Sequence, residues 1–342
     1  MYPLRPGRPG RGLYLLRQRG QGQSPLRPGL LTLSGGGTLP SEISVSSSWF
    51  PRLDCNLEKA FSFLVSNGLY AVELNPLVHP LDARLVTELL EKYGIKVTSI
   101  HNICSCYPVP FDPDDPYGDE LASLDESARR RSVEQLAATA ETARKLGARA
   151  VVVHGGYVER TKKDLRYKLL LRAIKRNSLN GTVKKLAAHL YEERRKYAQP
   201  HLEQLIRSLR EICTRYEDLM FGLETRYHLH SIPDLEEVDL LIREVGCPNL
   251  GYWHDYGHAQ VLENLGLFPH REWLKRYRDR IIGVHLHAVE FPFHDHLAGT
   301  PGHIDLEMLR ALLPRSCIKV VEASPENGPD NLVKFIRKLE SF

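Results

Sequence analysis

The amino-acid sequence reads as an α/β chain that closes into a (β/α)8 barrel, and three observations carry that reading. From about residue 42, eight short β-branched or apolar runs alternate with amphipathic stretches of helical period. The alternation fills about 300 residues, which suits one barrel better than an open sheet with a second domain. The runs also end in His, Asp and Glu, at the strand ends where barrels build their sites.

The strands are expected at 43–49, 70–74, 96–101, 148–154, 219–224, 249–254, 281–287 and 317–322. Helices are expected between them, among others at 56–67, 82–93, 125–146, 200–217, 234–245 and 328–341. Gly68, Gly94, Gly147 and Gly246 follow four of these and suit a left-handed C-cap. One segment is surplus. Where a barrel needs a single helix, 155–218 has room for three, so a helical insertion is expected after the fourth strand. Its first part, Arg160–Arg176, carries eight basic residues and one acid; Asn177–Gly181 breaks the run, and 182–196 resumes with Val183, Leu186, Leu190 and Tyr191. A solvated hairpin is one reading, and a lid or anion-binding arm over the barrel mouth is the other.

Composition sets limits. Hydrophobic residues make up 42% and charged residues 26%, the balance of a globular protein, and no run approaches the eighteen apolar residues of a membrane span. The formal charge of +4 is local: residues 1–40 hold six Arg and no acid, so residues 41–342 are mildly acidic and no broad nucleic-acid surface is expected there. That tail, with nine Gly and six Pro, is expected to be disordered. It reads as an Arg-rich arm for anionic partners or as sequence upstream of the true start; its weakly specific composition favours the second. Six Cys form no CxxC pair and nothing resembles a secretory signal, so reduced thiols in the cytoplasm are expected.

The strand ends hold the chemistry. Glu73 and Asn75 close the second strand, His101-Asn102 the third, His154-Gly155-Gly156 the fourth and Glu224 the fifth. The sixth runs into His254-Asp255 with His258 beyond, the seventh carries His285 and His287, and the eighth ends in Glu322. Ten of the fifteen His lie between positions 228 and 303, too many at strand ends for scatter. Imidazoles and carboxylates without thiolates suit hard or borderline divalent cations. Any one of these residues alone reads as a satisfied core side chain. His285 is the better ligand of its pair, with His287 either ligand or support. His254 reads as structural, His228 and His230 as loop-packing, His79 and His270 as solvated, and Asp305 as an N-cap. The loop 291–305 offers His294, Asp295, His296 and His303 on a Gly/Pro-rich scaffold.

These strand ends resemble the superfamily of xylose-isomerase-like TIM barrels, over residues 42–342. The resemblance rests on His-Gly-Gly at 154–156, Leu-Glu at 223–224, Asp-x-x-His at 255–258, Val-His-Leu-His at 284–287, Gly-x-x-Asp at 302–305 and Val-Glu at 321–322. Its sugar isomerase and epimerase branch implies one Mn2+, Mg2+ or Co2+ held by Glu224, Asp255, His285 and Glu322. Glu224 and Glu322 would then act as acid and base on a small-molecule sugar or sugar phosphate, His258 would meet a substrate hydroxyl, and His154 would shape the site. Two positions depart from that branch: Phe291 stands where an Arg is common, and His230 where a second Glu is common. The endonuclease IV branch is the alternative. It implies three Zn2+ for phosphodiester hydrolysis of a nucleic acid, held by His101, His154, Glu224, Asp255, His258, His285, His296 and Glu322. His294 would stand in the place of a ninth, aspartate ligand, and only Ser44, Ser46, Ser47 and Ser48 in the place of a strand-one His. Proton transfer needs only the four-ligand set, so the isomerase or epimerase reading is preferred. Pairing of barrels through their helical faces is an expectation from the same resemblance.

Overall fold

In the computed structural model the described residues are 43–53, 56–75, 82–107, 109 and 119–340, so the Arg-rich tail and His79 lie outside them. Eight strands build the barrel: β1 (Ile43–Ser46), β2 (Ala71–Leu74), β3 (Lys96–His101), β4 (Ala150–Val153), β5 (Met220–Glu224), β6 (Leu250–Asp255), β7 (Ile281–Leu286) and β10 (Ile318–Val321). All pair in parallel in the closed order β1-β10-β7-β6-β5-β4-β3-β2. The fold is a TIM barrel. β1 is shorter than the predicted 43–49, because Ser47–Leu53 coils into a 3-10 helix.

Strand alternation sorts the side chains. Val151 and Val153 join the large core beneath the helices, whereas Ala150 and Val152 pack with Trp253, Ile318 and Val320 in a separate cluster along the barrel axis. Trp253 fills that axis because β7 has Gly283 beside it, where any Cβ would overlap the indole. The His285 ring stands 5.3 Å from the indole in an edge-to-face contact, so the plug is also a floor for the strand-end residues.

The helices form where the sequence supplies caps. Asn56, Asp82 and Asp125 accept from the first-turn amides of α1 (Leu57–Ser66), α2 (Ala83–Tyr93) and α3 (Glu126–Leu146). The four predicted terminal glycines all have φ between 64° and 72°. The insertion holds α4 (Glu159–Lys162), α5 (Leu165–Lys175) and α6 (Gly181–Arg215). Here one expectation is corrected: 182–196 and 200–217 are not separate helices but one 35-residue helix running through Pro200. Proline removes one rung of the ladder, and tertiary contacts carry the helix across it. Arg194 is fully buried and donates to Asp234 at 3.1 Å, to Glu237 at 2.6 Å and to the Ser231 carbonyl at 2.7 Å. The inserted helix is thereby tied to the loop that follows β5.

The remaining helices are α7 (Glu237–Val245), α8 (Tyr256–Asn264), α9 (His270–Tyr277), α10 (Leu306–Leu312) and α11 (Pro329–Leu339). The stretch after β7, expected as a loop, contains a two-stranded antiparallel ribbon, β8 (Ala288–Glu290) with β9 (His294–Leu297). Among the described residues no helix is long and apolar enough to cross a membrane.

Candidate metal centre

Glu224 ends β5, Asp255 ends β6, His285 lies near the end of β7 and Glu322 directly follows β10, so four strands deliver four donors to one point. Those donors lie within 4.8 Å of one another, close enough for a small inward shift to bring all four onto one ion. His285 Nδ1 is 3.1 Å from Glu224 Oε1, 3.1 Å from Glu322 Oε2 and 3.5 Å from Asp255 Oδ2. Its other nitrogen, Nε2, donates to Glu73 Oε1 at 3.0 Å, and Ser99 donates to the second Glu73 oxygen at 2.7 Å. A carboxylate has only acceptors, so Glu73 fixes the proton on Nε2 and leaves the Nδ1 lone pair to a cation.

The same reasoning orients three more rings. His154 Nδ1 meets Asp119 at 2.6 Å, His101 Nδ1 donates to the Asn102 carbonyl at 2.9 Å, and His258 Nδ1 donates to the Thr225 carbonyl at 2.8 Å. Their Nε2 atoms therefore face the pocket, His154 and His101 at 2.7 and 3.7 Å from Glu224, and His258 at 4.0 Å from Asp295. Three further groups lie close enough together for an ion: His101, His154 and Glu224; His258, Asp295 and His296; and Asp255, His287 and His296, the last with an imidazole committed to other partners.

The electrostatics fit cations. Glu73, Asp119, Glu224, Asp255, Asp295 and Glu322 are gathered among these rings, and the Arg226 guanidinium adjoins Glu224. Asp255 Oδ2 and Asp295 Oδ2 are buried without a hydrogen bond among the described residues, a cost that a coordinated ion removes. Burial alone would raise the Glu224 carboxyl, but Arg226 and His154 outweigh it and hold the group well below the usual carboxylate range. Asp255 is lowered against the same burial by His258 and His287, and Glu322 by His285 and His296. Burial opposes charge on His285, yet Glu322 and Glu73 drive its basicity well above that of a free imidazole. Burial and Arg226 likewise oppose charge on His154, but Asp119 and Glu224 prevail and raise it to about 8. Without a cation these rings hold protons that a metal would displace.

His287 and Asp255 also meet, at 3.0 Å. His287 Nδ1 already accepts the His296 backbone N–H at 2.8 Å, so Nε2 carries the ring proton and donates it to Asp255 Oδ1. His287 supports a carboxylate and has no lone pair left for an ion. Its ring lies on Gly257, the second of the two residues between Asp255 and His258, where any Cβ would overlap the imidazole. Gly257→Ala is therefore expected to push His287 off Asp255 and to cost about 1–3 kcal/mol. Denaturant unfolding measures the loss, and an unchanged midpoint would refute the contact.

All eight sequence-predicted site residues, His101, His154, Glu224, Asp255, His258, His285, His296 and Glu322, meet in this pocket. Two other expectations are corrected. His294 does not take the ninth-ligand place: its side chain is 49% exposed beside Glu290. His296 has φ of 56°, a left-handed conformation uncommon outside glycine, and this breaks strand alternation so that Asp295 turns inward instead. His270 is not solvated; it is buried, with Nε2 3.0 Å from His254 and Nδ1 3.1 Å from Gln260. His254, hydrogen-bonded to Tyr252 and His270, stands away from the pocket. Of the two departing positions, Phe291 is 68% exposed and His230 packs edge-on against Tyr157 and Tyr167. In the place of a strand-one His, Ser47 donates to Asn75 and Ser44 bonds to Thr98.

Sequence reasoning missed Asp119 and Arg226. Asp119 lies in a stretch of sequence without periodicity and carried no signal. Arg226 was in plain view two residues past Glu224, on the loop where barrels build their sites.

The profile described as xylose isomerase-like TIM barrel matches residues 61–339. The chain belongs to that family. This xylose isomerase-like barrel is 24% identical over 263 residues to an uncharacterized protein of Methanocaldococcus jannaschii, covering 76% of this chain and 70% of the relative. Its fold is similar to that of 3-keto-D-glucoside 4-epimerase from E. coli, with a TM-score of 0.62, 15% identity, and coverage of 88% of this chain and 99% of the other. It is also similar to a D-tagatose 3-epimerase-like protein, with a TM-score of 0.59, 21% identity, and coverage of 87% and 96%.

Proposed function

We propose that this chain is a divalent-metal-dependent isomerase or epimerase acting on a sugar or sugar phosphate. The observation that carries the reading is the convergence of Glu224 and Glu322 on the same atom, each 3.1 Å from His285 Nδ1. The two glutamates come from strands on either side of β7, with β6 between β5 and β7. A substrate carbon beside that point has a carboxylate on each flank, which is what removal and return of a proton require. A divalent cation held by Glu224, Asp255, His285 and Glu322 would polarise the neighbouring substrate oxygen.

The two carboxylates are not equivalent. Glu224 is neutralised by Arg226 and His154, whereas Glu322 faces His285 and, at 3.8 Å, His296. Glu322 is accordingly assigned the base and Glu224 the partner that returns the proton. The epimerase names of two structurally similar proteins agree with this chemistry.

A second reading, multizinc phosphodiester hydrolysis, is favoured by one observation: His258, Asp295 and His296 form a further ligand group. Against it stands Arg226, whose guanidinium contacts His154 and donates to Glu224 at 3.1 Å. It brings to the His101–His154–Glu224 group the positive charge that a second ion would bring. The test is incubation of the manganese-loaded protein in D2O with a panel of ketoses, ketose phosphates and keto-glycosides. Deuterium appearing next to a carbonyl supports proton transfer. Hydrolysis of bis(p-nitrophenyl) phosphate with no deuterium uptake would replace it with the second reading.

A further inference from the structure

We infer that Arg226 is the specificity residue of this pocket, binding an anionic group, a phosphate or a carboxylate, on the substrate. The inference rests on the proposed sugar chemistry for its setting and narrows the substrate class to charged sugars.

The argument starts from how the guanidinium is used. Arg226 directs Nη1 at Glu224 Oε2, 3.1 Å away, and at His154. Neither Nε nor Nη2 donates a hydrogen bond to any described residue. The side chain is 22% exposed, and neither nitrogen is a buried unpaired atom. The Nε and Nη2 hydrogens lie on one edge of the planar group, the edge that matches two oxygens of a carboxylate or phosphate. One side of the fork is anchored and the other is presented.

The location suits a substrate group. The Glu224 carboxylate spans the two features, with Oε2 on Arg226 and Oε1 3.1 Å from His285 Nδ1. A molecule seated at the four-donor point therefore reaches the guanidinium across a single carboxylate. Tyr227 adjoins it, stacked on His228 and edge-on to His258, with its hydroxyl unbonded among the described residues. Lys162, 3.6 Å above the Tyr157 ring, acts with Arg226 on Asp119, so positive charge continues along this rim. An arginine serving Glu224 alone would spend its two-hydrogen edge there; this one does not.

The experiment is calorimetric titration of the full-length manganese-loaded protein with two matched pairs, D-ribulose 5-phosphate with D-ribulose and D-gluconate with D-glucitol. The expected result is at least about tenfold tighter binding of one charged member, which identifies phosphate or carboxylate as the anion. Arg226→Gln is expected to remove that preference, read as the ratio of charged to neutral affinity within the same variant, and Arg226→Lys to retain part of it. Equal binding within both pairs, no binding of either charged probe, or a preference that survives Arg226→Gln would overturn the inference. Circular dichroism confirms that the variants fold, and the wild-type comparison stands without them. Binding is read apart from turnover. An Arg226-dependent preference with no deuterium uptake sinks the proton-transfer reading alone; uptake into neutral sugars only sinks this one alone.

Discussion

Glu322→Gln is expected to lower carbon–deuterium exchange by about 10²–10⁴-fold, the size of a lost general base. Glutamine keeps the shape and one carbonyl acceptor but cannot take a proton. Glu322 would also be a ligand, so the variant must be read beside its metal content. Glu224, Asp255 and His285 remain, and an ion retained while exchange collapses isolates proton transfer from metal loss. Glu224→Gln is expected to differ. It removes the anchor of Arg226 and the carboxylate facing His154, so binding of a charged substrate suffers together with the chemical step. A Glu322→Gln enzyme that exchanges at the wild-type rate would end the paired-glutamate assignment.

The fold was legible because barrel strands and helices declare themselves through period and caps. Eight apolar runs, acidic or amide N-caps and four glycines at helix ends specify the alternation locally, and closure follows from the count. The site was legible for a related reason. A barrel places the end of every strand on one face, so listing strand-end residues amounts to listing neighbours. What was not legible depends on geometry that no period encodes. Asp295 faces inward because His296 adopts a left-handed backbone, and nothing in His-Asp-His announces it. The role of His287 rests on an amide nine residues along the chain that consumes its lone pair. His270, read as a loop residue, is buried because α9 packs its first turn against β6. Pro200 suggested a boundary, and the burial of Leu190, Arg194, His201 and Leu205 along one helix overrides it.

Metal content decides between the two chemistries and carries the second large effect. Mass spectrometry of the protein purified without chelator is expected to find about one manganese- or magnesium-class ion per chain. Asp255→Ala is expected to abolish it, because that change removes one donor and leaves His285 Nδ1 between two glutamates. His101→Ala and His296→Ala are expected to leave it in place, since neither belongs to the four-donor set. Two or three zinc ions, falling on either replacement, would instead assign the His101 and His296 groups to ions and move the chemistry to phosphodiesters. Acidity gives an independent check. Without a metal His285 holds a proton well above neutrality, and His154 and His296 hold theirs to about 8 and about 9. A cation in the four-donor set competes with the His285 proton, so affinity rises with pH below that raised value, by about tenfold per unit for each proton released. Ions at all three groups would displace the protons of His285, His154 and His296 together, and affinity would climb correspondingly faster. A one-proton slope with one bound ion therefore supports the isomerase centre, and a steeper slope with two or three ions supports the hydrolytic one.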